Sequence, residues 1–249
     1  MGMYFIALMI LLVGALISVF VKEDLKMKVC SLSIAICTVV ILFPVMPVLF
    51  TGGVLGTTVN MPPFFGEVNF VIDPLSAFFI FVISIMSFIG SMYAIGYLKP
   101  YINRGMTVTS HCLFLIMLIL SMLTVVTVQN ALFFLIAWEI MSLSSFFLVL
   151  FENSKKEVLS AGIKYMIYMH ISVIFIISAF ALLNIKTGSY NFSDFAHYLK
   201  TNPQYLNIIF LLAFTGFGIK AGFVPFHNWL PDAHPAAPSH ISGIMSGVM

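Results

Sequence analysis

Long apolar runs separated by short polar segments recur along the whole chain. Each run is about as long as the roughly 20 residues that an α-helix needs to cross a bilayer. We therefore predict an all-α, polytopic bundle of transmembrane helices with about seven full spans, at 4–21, 29–50, 73–97, 110–128, 131–151, 158–183 and 205–230.

The polar segments between the runs carry signals for where helices begin and end. Asp73 followed by Pro74 predicts a helix start, with the aspartate as N-cap and the proline in the first turn. Gln129 and Asn130 predict a tight turn that makes spans four and five antiparallel neighbours. The longer segments 51–69 and 184–204 are predicted to be loops.

The seventh span is interrupted by a lysine, two glycines and a proline. Lys220 lies between Gly218 and Gly222, and Pro225 follows. Because proline removes a backbone donor and clashes with the preceding turn, we predict a broken helix here. A break at membrane depth is tolerated only against protein or a water-filled cavity, and a lysine there costs about 2.5–3.5 kcal/mol on insertion scales. Both features indicate a functional site.

An eighth apolar segment begins at Pro238, with Ser239 as its predicted N-cap, and stops at Met249. About ten helical residues, at about 1.5 Å each, do not cross a hydrocarbon core of about 30 Å. We therefore expect the sequence to be a fragment of a longer protein. The alternative is that another subunit holds the end of the chain.

Basic residues are concentrated in alternate polar segments. The segments after spans one, three and five hold Lys22, Lys26, Lys28, Lys99, Arg104, Lys155 and Lys156, whereas those after spans two, four and six hold only Lys186 and Lys200. Cytoplasmic segments carry the excess of basic residues. We therefore predict a multi-pass protein of the inner (plasma) membrane with its amino terminus outside.

Composition agrees with this class. The chain is 61% hydrophobic and 8% charged, against roughly 25% charged residues in soluble domains. The net charge of +2 gives no reason to expect nucleic acid as a partner. The three cysteines have no CxxC spacing, the six histidines have no HExxH spacing, and no glycine-rich phosphate loop is present. We therefore expect no metal, no cofactor and no redox chemistry on this chain itself.

Three ionisable residues lie well inside predicted spans. Glu139 is near the middle of span five, Lys164 is about two turns into span six, and Lys220 is near the middle of span seven. An acid and two bases at such depth can form a proton relay, because a buried lysine whose carboxylate partner moves away changes its proton affinity. Two structural alternatives remain: a static Glu139–Lys220 ion pair, and a Lys164 side chain that snorkels to the interface.

The remaining polar candidates have two interpretations each. His170 is either a relay member or a hydrogen-bonding core residue. Asp232 and His234 lie at the mouth of the break, where they either gather protons or cap the turn, and the same alternatives hold for His227 and His240. His111, at the start of span four, is expected to be interfacial.

Several of these segments carry a family resemblance. At Trp138–Glu139, at 161–165 and in the string from Gly218 to His234, the chain resembles the antiporter-like, proton-translocating membrane subunits of respiratory complex I, membrane-bound nickel–iron hydrogenases and Mrp-type cation/proton antiporters. The resemblance extends to 73–76 and 93–97. The segment 234–249 looks most like the hydrogenase and formate hydrogenlyase branch.

The resemblance implies roles for individual residues. Glu139 would pair with Lys220 in the helix break, and Lys164 would lie near the same path, so that the three carry protons together with water. The family is built on two inverted five-helix repeats. The chain would then hold a three-span region at 1–109 and the first repeat at 110–249, with the rest of the path beyond Met249.

The predicted function is that of a membrane subunit of a redox-driven proton pump, most closely of the hydrogenase or formate hydrogenlyase type. Its partners would be other membrane subunits, a peripheral oxidoreductase arm, the lipid bilayer, and protons or Na⁺. One alternative is an Mrp-type cation/proton antiporter subunit. Another is a membrane anchor that does not pump.

Overall fold

A computed structural model describes residues 1–60, 67–104 and 106–249. In these ranges the chain is mostly helical, with two strands and two short 3-10 turns, Leu150–Glu152 and Pro203–Tyr205. The helices are α1 (Gly2–Phe20), α2 (Glu23–Thr51), α3 (Pro74–Asn103), α4 (Thr109–Val125), α5 (Ala131–Val149), α6 (Lys156–Thr187), α7 (Phe192–Thr201), α8 (Leu206–Ala221), α9 (Leu230–Ala236) and α10 (Ser239–Val248).

Six helices of the described ranges are long and apolar enough to cross a membrane. They are α1, α2, α3, α5 with its extension to Glu152, α6, and α8 with the turn that begins at Pro203. The fourth predicted span is α4, an apolar helix of 17 residues and therefore shorter than the others. The predicted all-α, multi-pass membrane fold is confirmed.

The segment 51–69 is predicted to be a loop, and this prediction is wrong for residues 55–60 and 67–69, which are strands. Strand β1 (Leu55–Asn60) pairs antiparallel with strand β2 (Glu67–Ile72), and Leu55 lies opposite Ile72. The backbone that follows α4 extends the pairing, because Val71 N donates to Thr127 O at 2.8 Å and Gln129 N donates to Asn69 O at 2.9 Å. Residues 61–66, which belong to the same prediction, lie outside the described residues.

The prediction of a loop at 184–204 is also wrong. Helix α6 continues to Thr187, and α7 occupies much of the remainder. Helix α7 is amphipathic. Its Phe195 is buried together with Ala131 of α5 and Leu183 of α6. The apolar face of α7 therefore closes one end of the helix bundle.

Two of the predicted helix boundaries are confirmed and one is not. Asp73 Oδ1 accepts a hydrogen bond from Ser76 N at 2.7 Å, which is N-cap geometry. Asn130 ends the tight turn after α4 and caps α5, accepting from Leu132 N at 3.0 Å. Ser239 is the first residue of α10 rather than its cap, because the cap position is held by Pro238 and no side chain bonds the helix start.

The bundle has two distinct ends. At the basic end, where α2, α4 and α6 begin, Lys26 bonds Glu23 and Thr109, and Glu23 Oε2 accepts from Val108 N at 3.0 Å. At the hairpin end, strands β1 and β2, the turn at Asn130 and helix α7 lie together, and Tyr4 bonds Thr127 at 2.8 Å. The basic end carries most of the lysines used above for the orientation. The division of the chain at 109/110 stays a prediction.

Candidate functional site

The break in the seventh span lies between α8 and α9. Helix α8 ends at Ala221, and Gly222 has a φ of +75°, the left-handed conformation that favours glycine. Phe223 N donates to Gly218 O at 2.9 Å and Gly222 N donates to Ile219 O at 3.2 Å. This is the Schellman pattern of helix termination. The predicted break is therefore real, and its glycine ends the helix.

The unwound segment between Gly222 and Leu230 is anchored by a tryptophan. Trp229 is 5% exposed, and its Nε1 donates to Ile219 O at 3.1 Å. Pro225 lies within this segment rather than inside a helix. A β-carbon added at Gly222 would overlap the side chain of Leu230, so this corner is packed as well as conformationally restricted.

The break fixes the position of Lys220. It is 5% exposed, and its Nζ donates to Ser142 Oγ of α5 at 2.8 Å. The same ammonium lies 4.4 Å from the ring centre of Trp138, a cation–π distance. Because Lys220 is in the last turn of α8, the negative end of the helix dipole also favours its positive charge.

Glu139, the predicted partner of Lys220, is not in contact with it. In the described part of the chain Lys220 forms no ion pair within 4.0 Å, and its hydrogen bond goes to Ser142, three residues along α5. Glu139 is partly buried and close enough to both Lys220 and Tyr165 for a Coulombic interaction. The acid and the base are therefore neighbours without a direct bond.

A second hydrogen bond continues the polar stripe along α5. Ser145 Oγ and the hydroxyl of Tyr165 on α6 are 2.7 Å apart, and both residues are buried. The ring of Tyr165 contacts Trp229 at a centroid distance of 5.1 Å. We call Glu139, Ser142, Ser145, Tyr165 and Lys220 the Lys220 cluster.

Helices α6 and α8 approach closely beside this cluster. Ser172 Oγ donates to Gly216 O at 2.7 Å, and a β-carbon at Gly216 would come within 3.0 Å of Ser172 O. A glycine at this position lets the two backbones meet. The close contact fixes the depth at which α8 presents Lys220.

A cavity of about 280 Å³ adjoins Lys220 on the side of α9 and α10. Its lining includes Trp229, His234 and Ser246. His234 Nδ1 lies 3.1 Å from Ser242 Oγ and shares a hydrogen bond with it. Burial lowers the pKa of His234 below its ordinary value of 6.5, so the neutral imidazole is favoured at the cavity wall.

Lys164 and Asp232 meet at the basic end, apart from the Lys220 cluster. Lys164 Nζ lies 2.5 Å from Asp232 Oδ2, and both side chains are nearly half exposed. A second cavity, of about 610 Å³, has Asp232, Lys155 and Glu157 in its wall. The predicted site residues therefore divide into a buried group and a group at the surface.

Two predicted relay candidates are not brought to the cluster. His170 is exposed on the outer side of α6, where its Nδ1 bonds the Met166 carbonyl of its own helix at 3.0 Å. His227 is exposed in the unwound segment. In the described ranges no group of three or more metal-ligating side chains lies together.

Sequence reasoning missed Ser142, Ser145 and Tyr165. Serines in apolar helices usually bond their own backbone, and Ser142 does donate to Trp138 O at 3.0 Å. The spacing offered one signal, since Ser142 follows Glu139 by three residues and therefore shares its face of α5. Tyr165 directly follows Lys164, but it points inward where the lysine points outward.

Two models of known families match the chain. Residues 128–249 match a model described as NADH:quinone oxidoreductase/Mrp antiporter, transmembrane part. Residues 60–104 match a model described as the N-terminus of chain 5 of NADH-ubiquinone oxidoreductase, complex I. The first match contains Glu139, Lys164 and Lys220.

Individual relatives agree with these matches. The chain is 41% identical to Hydrogenase-4 component B of Escherichia coli over 76% of its own length and 28% of that protein. It is 27% identical to NADH-quinone oxidoreductase subunit N 2 of Chloroherpeton thalassium over 71% of its length and 35% of that protein. The chain thus spans about a third, or less, of these relatives.

A solved structure shows the same fold. The structure of the membrane-bound sulfane sulfur reductase, an archaeal respiratory membrane complex, contains a chain that superposes with a TM-score of 0.81. The superposition covers 97% of this chain and 38% of the other, at 22% sequence identity.

Proposed function

Because the chain belongs to the family of antiporter-like membrane subunits of NADH:quinone oxidoreductases, hydrogenases and Mrp antiporters, we propose that it carries protons across a membrane as one subunit of a redox-driven complex. The similarity to Hydrogenase-4 component B favours a membrane-bound hydrogenase or formate hydrogenlyase type of complex. Electron transfer would take place in other subunits, including a peripheral arm.

One observation carries this proposal: a buried lysine at a helix break bonds a neutral hydroxyl while an acid lies nearby. Lys220 bonds Ser142, and Glu139 is within Coulombic range but not in contact. A nearby carboxylate favours a charged ammonium, whereas burial away from it favours a neutral amine. Movement of Glu139 toward or away from Lys220 would therefore load and unload a proton.

We propose that Lys164 and Asp232 serve the surface end of this path. Their ion pair is solvent-exposed at the basic end, and α9 connects Asp232 to His234 at the wall of the Lys220 cavity. We assign Asp232 and Lys164 to proton exchange with the aqueous phase and His234 to the passage inward. His227, exposed in the unwound segment, is assigned to contact with the remainder of the path.

The distribution of charged residues supports an orientation for the proposed pump. The basic end would face the cytoplasm and the hairpin end the outside of the inner membrane, as the excess of lysine at the basic end favours. The amino terminus precedes α1 at the hairpin end, where Tyr4 bonds Thr127, so it would lie outside. Protons would then exchange with the cytoplasm beside Asp232.

A cation/proton antiporter of the Mrp type is the second candidate. The model that matches 128–249 includes Mrp antiporters in its description. In that case the same Glu139 and Lys220 would couple proton movement to Na⁺ instead of to electron transfer. A cation gradient imposed without an electron donor would then drive proton movement through the complex.

The proposal is tested by replacing Glu139 with its neutral isostere. Glu139→Gln keeps the shape of the side chain and removes the negative charge that interacts with Lys220. We therefore expect it to abolish redox-driven acidification of vesicles that contain the assembled complex. Glu67→Gln, an exposed glutamate at the hairpin end, is the matched control and should pump normally. Acidification by Glu139→Gln at the rate of the control would refute the proposal.

A further inference from the structure

A pair of histidines is buried away from the Lys220 cluster, between α4 and α10. His111 Nε2 and His240 Nε2 are 2.8 Å apart and share a hydrogen bond. His111 is 4% exposed and His240 is 5% exposed. The Nδ1 atom of each ring is buried without a hydrogen-bond partner in the described part of the chain.

This arrangement is expensive as a purely structural contact. The pair makes one neutral hydrogen bond and leaves two buried ring nitrogens unpaired, and an unpaired buried polar atom destabilises a fold by more than one such bond stabilises it. Two apolar side chains at the same positions would hold α4 and α10 together at lower cost. The chemistry of the pair therefore requires an explanation beyond packing.

The pair has a route to the surface. A cavity of about 510 Å³ is lined by His111 and, among others, by Thr107, Ser110 and Asn153. These three polar residues are exposed at the basic end, so the cavity connects His111 to the aqueous side. Phe151 contacts the His111 ring at a centroid distance of 5.1 Å and forms part of the same wall.

No carboxylate among the described residues forms an ion pair with either ring. Helix α3 presents Tyr93 and Tyr97, whose rings lie 6.5 Å and 5.4 Å from that of His240. The charged groups of α2 nearest to α4 are Glu23 and Lys26, and they bond each other and the start of α4.

The charged groups of two other elements near the pair also form ion pairs or hydrogen bonds with other residues. After α5, Glu152 forms an ion pair with Lys155. On α9, Asp232 bonds Lys164, and His234 bonds Ser242. Neither imidazole is therefore held permanently charged by an ion pair.

We propose that His111 and His240 form a proton-transfer pair, a second branch through which the proposed pump takes up protons at its basic end. A hydronium ion in the cavity gives a proton to His111 Nδ1 and becomes water, the Nε2 proton of His111 passes to His240 Nε2, and His240 gives its Nδ1 proton to a second water molecule beside α10. Each ring gains and loses one proton, so the pair returns to its starting charge. Helix α10 also holds Ser242 against His234, so the branch reaches the helix that borders the Lys220 cavity.

This inference rests on the proposed function and is tested in the same assembled complex. Truncation of His111 to alanine removes the first ring beside the cavity, so we expect a partial loss of redox-driven acidification, down to the rate that the Lys164–Asp232 branch carries alone. Imidazole added to the cytoplasmic side should enter the cavity and restore the rate. With substituted imidazoles, the restored rate should follow the basicity of the added base.

A structural role for the pair makes a different prediction. Tyr4→Phe removes the buried hydrogen bonds of the Tyr4 hydroxyl to Leu123 O and Thr127 Oγ1, which have a similar sequence separation and lie far from the cavity. It should leave acidification unchanged and insensitive to imidazole. If His111→Ala slows acidification without rescue by any imidazole, the pair is structural and the inference is wrong. If His111→Ala does not assemble, His111→Gln takes its place, and a wild-type rate for that variant overturns the inference.

The two proposals fail in different ways. If Glu139→Gln abolishes acidification while His111→Gln and His240→Gln pump normally, only the histidine branch is refuted. If Glu139→Gln itself pumps normally, the proposed function fails first.

Discussion

At the scale of single residues, the proposed proton transfer depends on how one ammonium group is held. Lys220 is surrounded by a hydroxyl, an indole ring and a helix C-terminus, and each of these favours positive charge weakly. Among the described residues, Glu139 is the full negative charge within its Coulombic range. A lysine with several weak partners and one strong neighbour can change its protonation state when that neighbour moves.

Ser142 provides a graded test of this arrangement. A hydrogen bond to a charged group contributes about 1.5–3 kcal/mol, so Ser142→Ala should slow proton translocation by about tenfold or more while the complex still assembles. The rate of vesicle acidification at equal electron flux measures this effect.

Ser144 supplies the control for that experiment. It lies two residues along α5 and donates only to Ile140 O of its own helix, at 2.6 Å. Ser144→Ala should translocate at the wild-type rate. Equal rates for the two alanine variants would mean that the Ser142 contact does not contribute to function.

The contrast between Lys164 and Lys220 shows what the sequence can and cannot predict for a residue. Both were identified as ionisable groups inside apolar runs, and the depth of each was predicted from its place in its span. The partners were not predicted, because Ser142 and Asp232 are 78 and 68 residues away in the chain. Contacts of that range depend on how helices pack, which the local pattern does not encode.

At the scale of elements, the broken helix is both the best-predicted feature and the one that positions the site. Its glycine ends α8 in a left-handed conformation, and Trp229 satisfies a carbonyl freed by the break. The hairpin and α7 were missed for a common reason. Residues 55–60 form a strand because they pair with 67–72 and the sheet is extended by 127–129, whereas Phe192–Thr201 is helical because Phe195 has a pocket to fill.

Gly222→Ala tests the conformation of the break. A non-glycine residue in the left-handed region costs about 1–2 kcal/mol, and the added methyl group would also overlap Leu230. We expect a lower melting temperature of the complex and slower proton translocation, because the corner that positions Lys220 must move.

Two companion variants make that result specific. Gly243 of α10 has open space where its β-carbon would lie, so Gly243→Ala should be tolerated and should slightly stabilise its helix. Leu230→Ala added to Gly222→Ala should recover part of the lost stability by relieving the overlap. If Gly222→Ala is as stable as Gly243→Ala, the positive φ at the break does not matter.

At the scale of the whole molecule, the bundle separates a basic end from a hairpin end. The Lys164–Asp232 pair and the cavity at His111 both lie at the basic end, so both proposed points of proton exchange face the same side. The two relatives named above are about two to three times as long as this chain, so the proposed path is one part of such a protein.

The orientation of the bundle can be measured by thiol labelling. The three native cysteines are buried, so a cysteine introduced at an exposed position gives a specific signal. A membrane-impermeant maleimide should label Ser154→Cys at the basic end from the cytoplasmic side. It should label Val54→Cys at the hairpin end from the outside. The opposite pattern would invert the proposed topology and place proton uptake on the other side.

The rate of redox-driven proton translocation by Lys220→Arg shows whether Lys220 itself gains and loses a proton. Arginine keeps the positive charge and the hydrogen-bonding capacity at this position but is not deprotonated in proteins. If Lys220 works by gaining and losing its proton, Lys220→Arg should fail as completely as Lys220→Met, although both assemble. If Lys220→Arg translocates protons at the wild-type rate, Lys220 supplies only a fixed charge, and the proton-carrier account is contradicted.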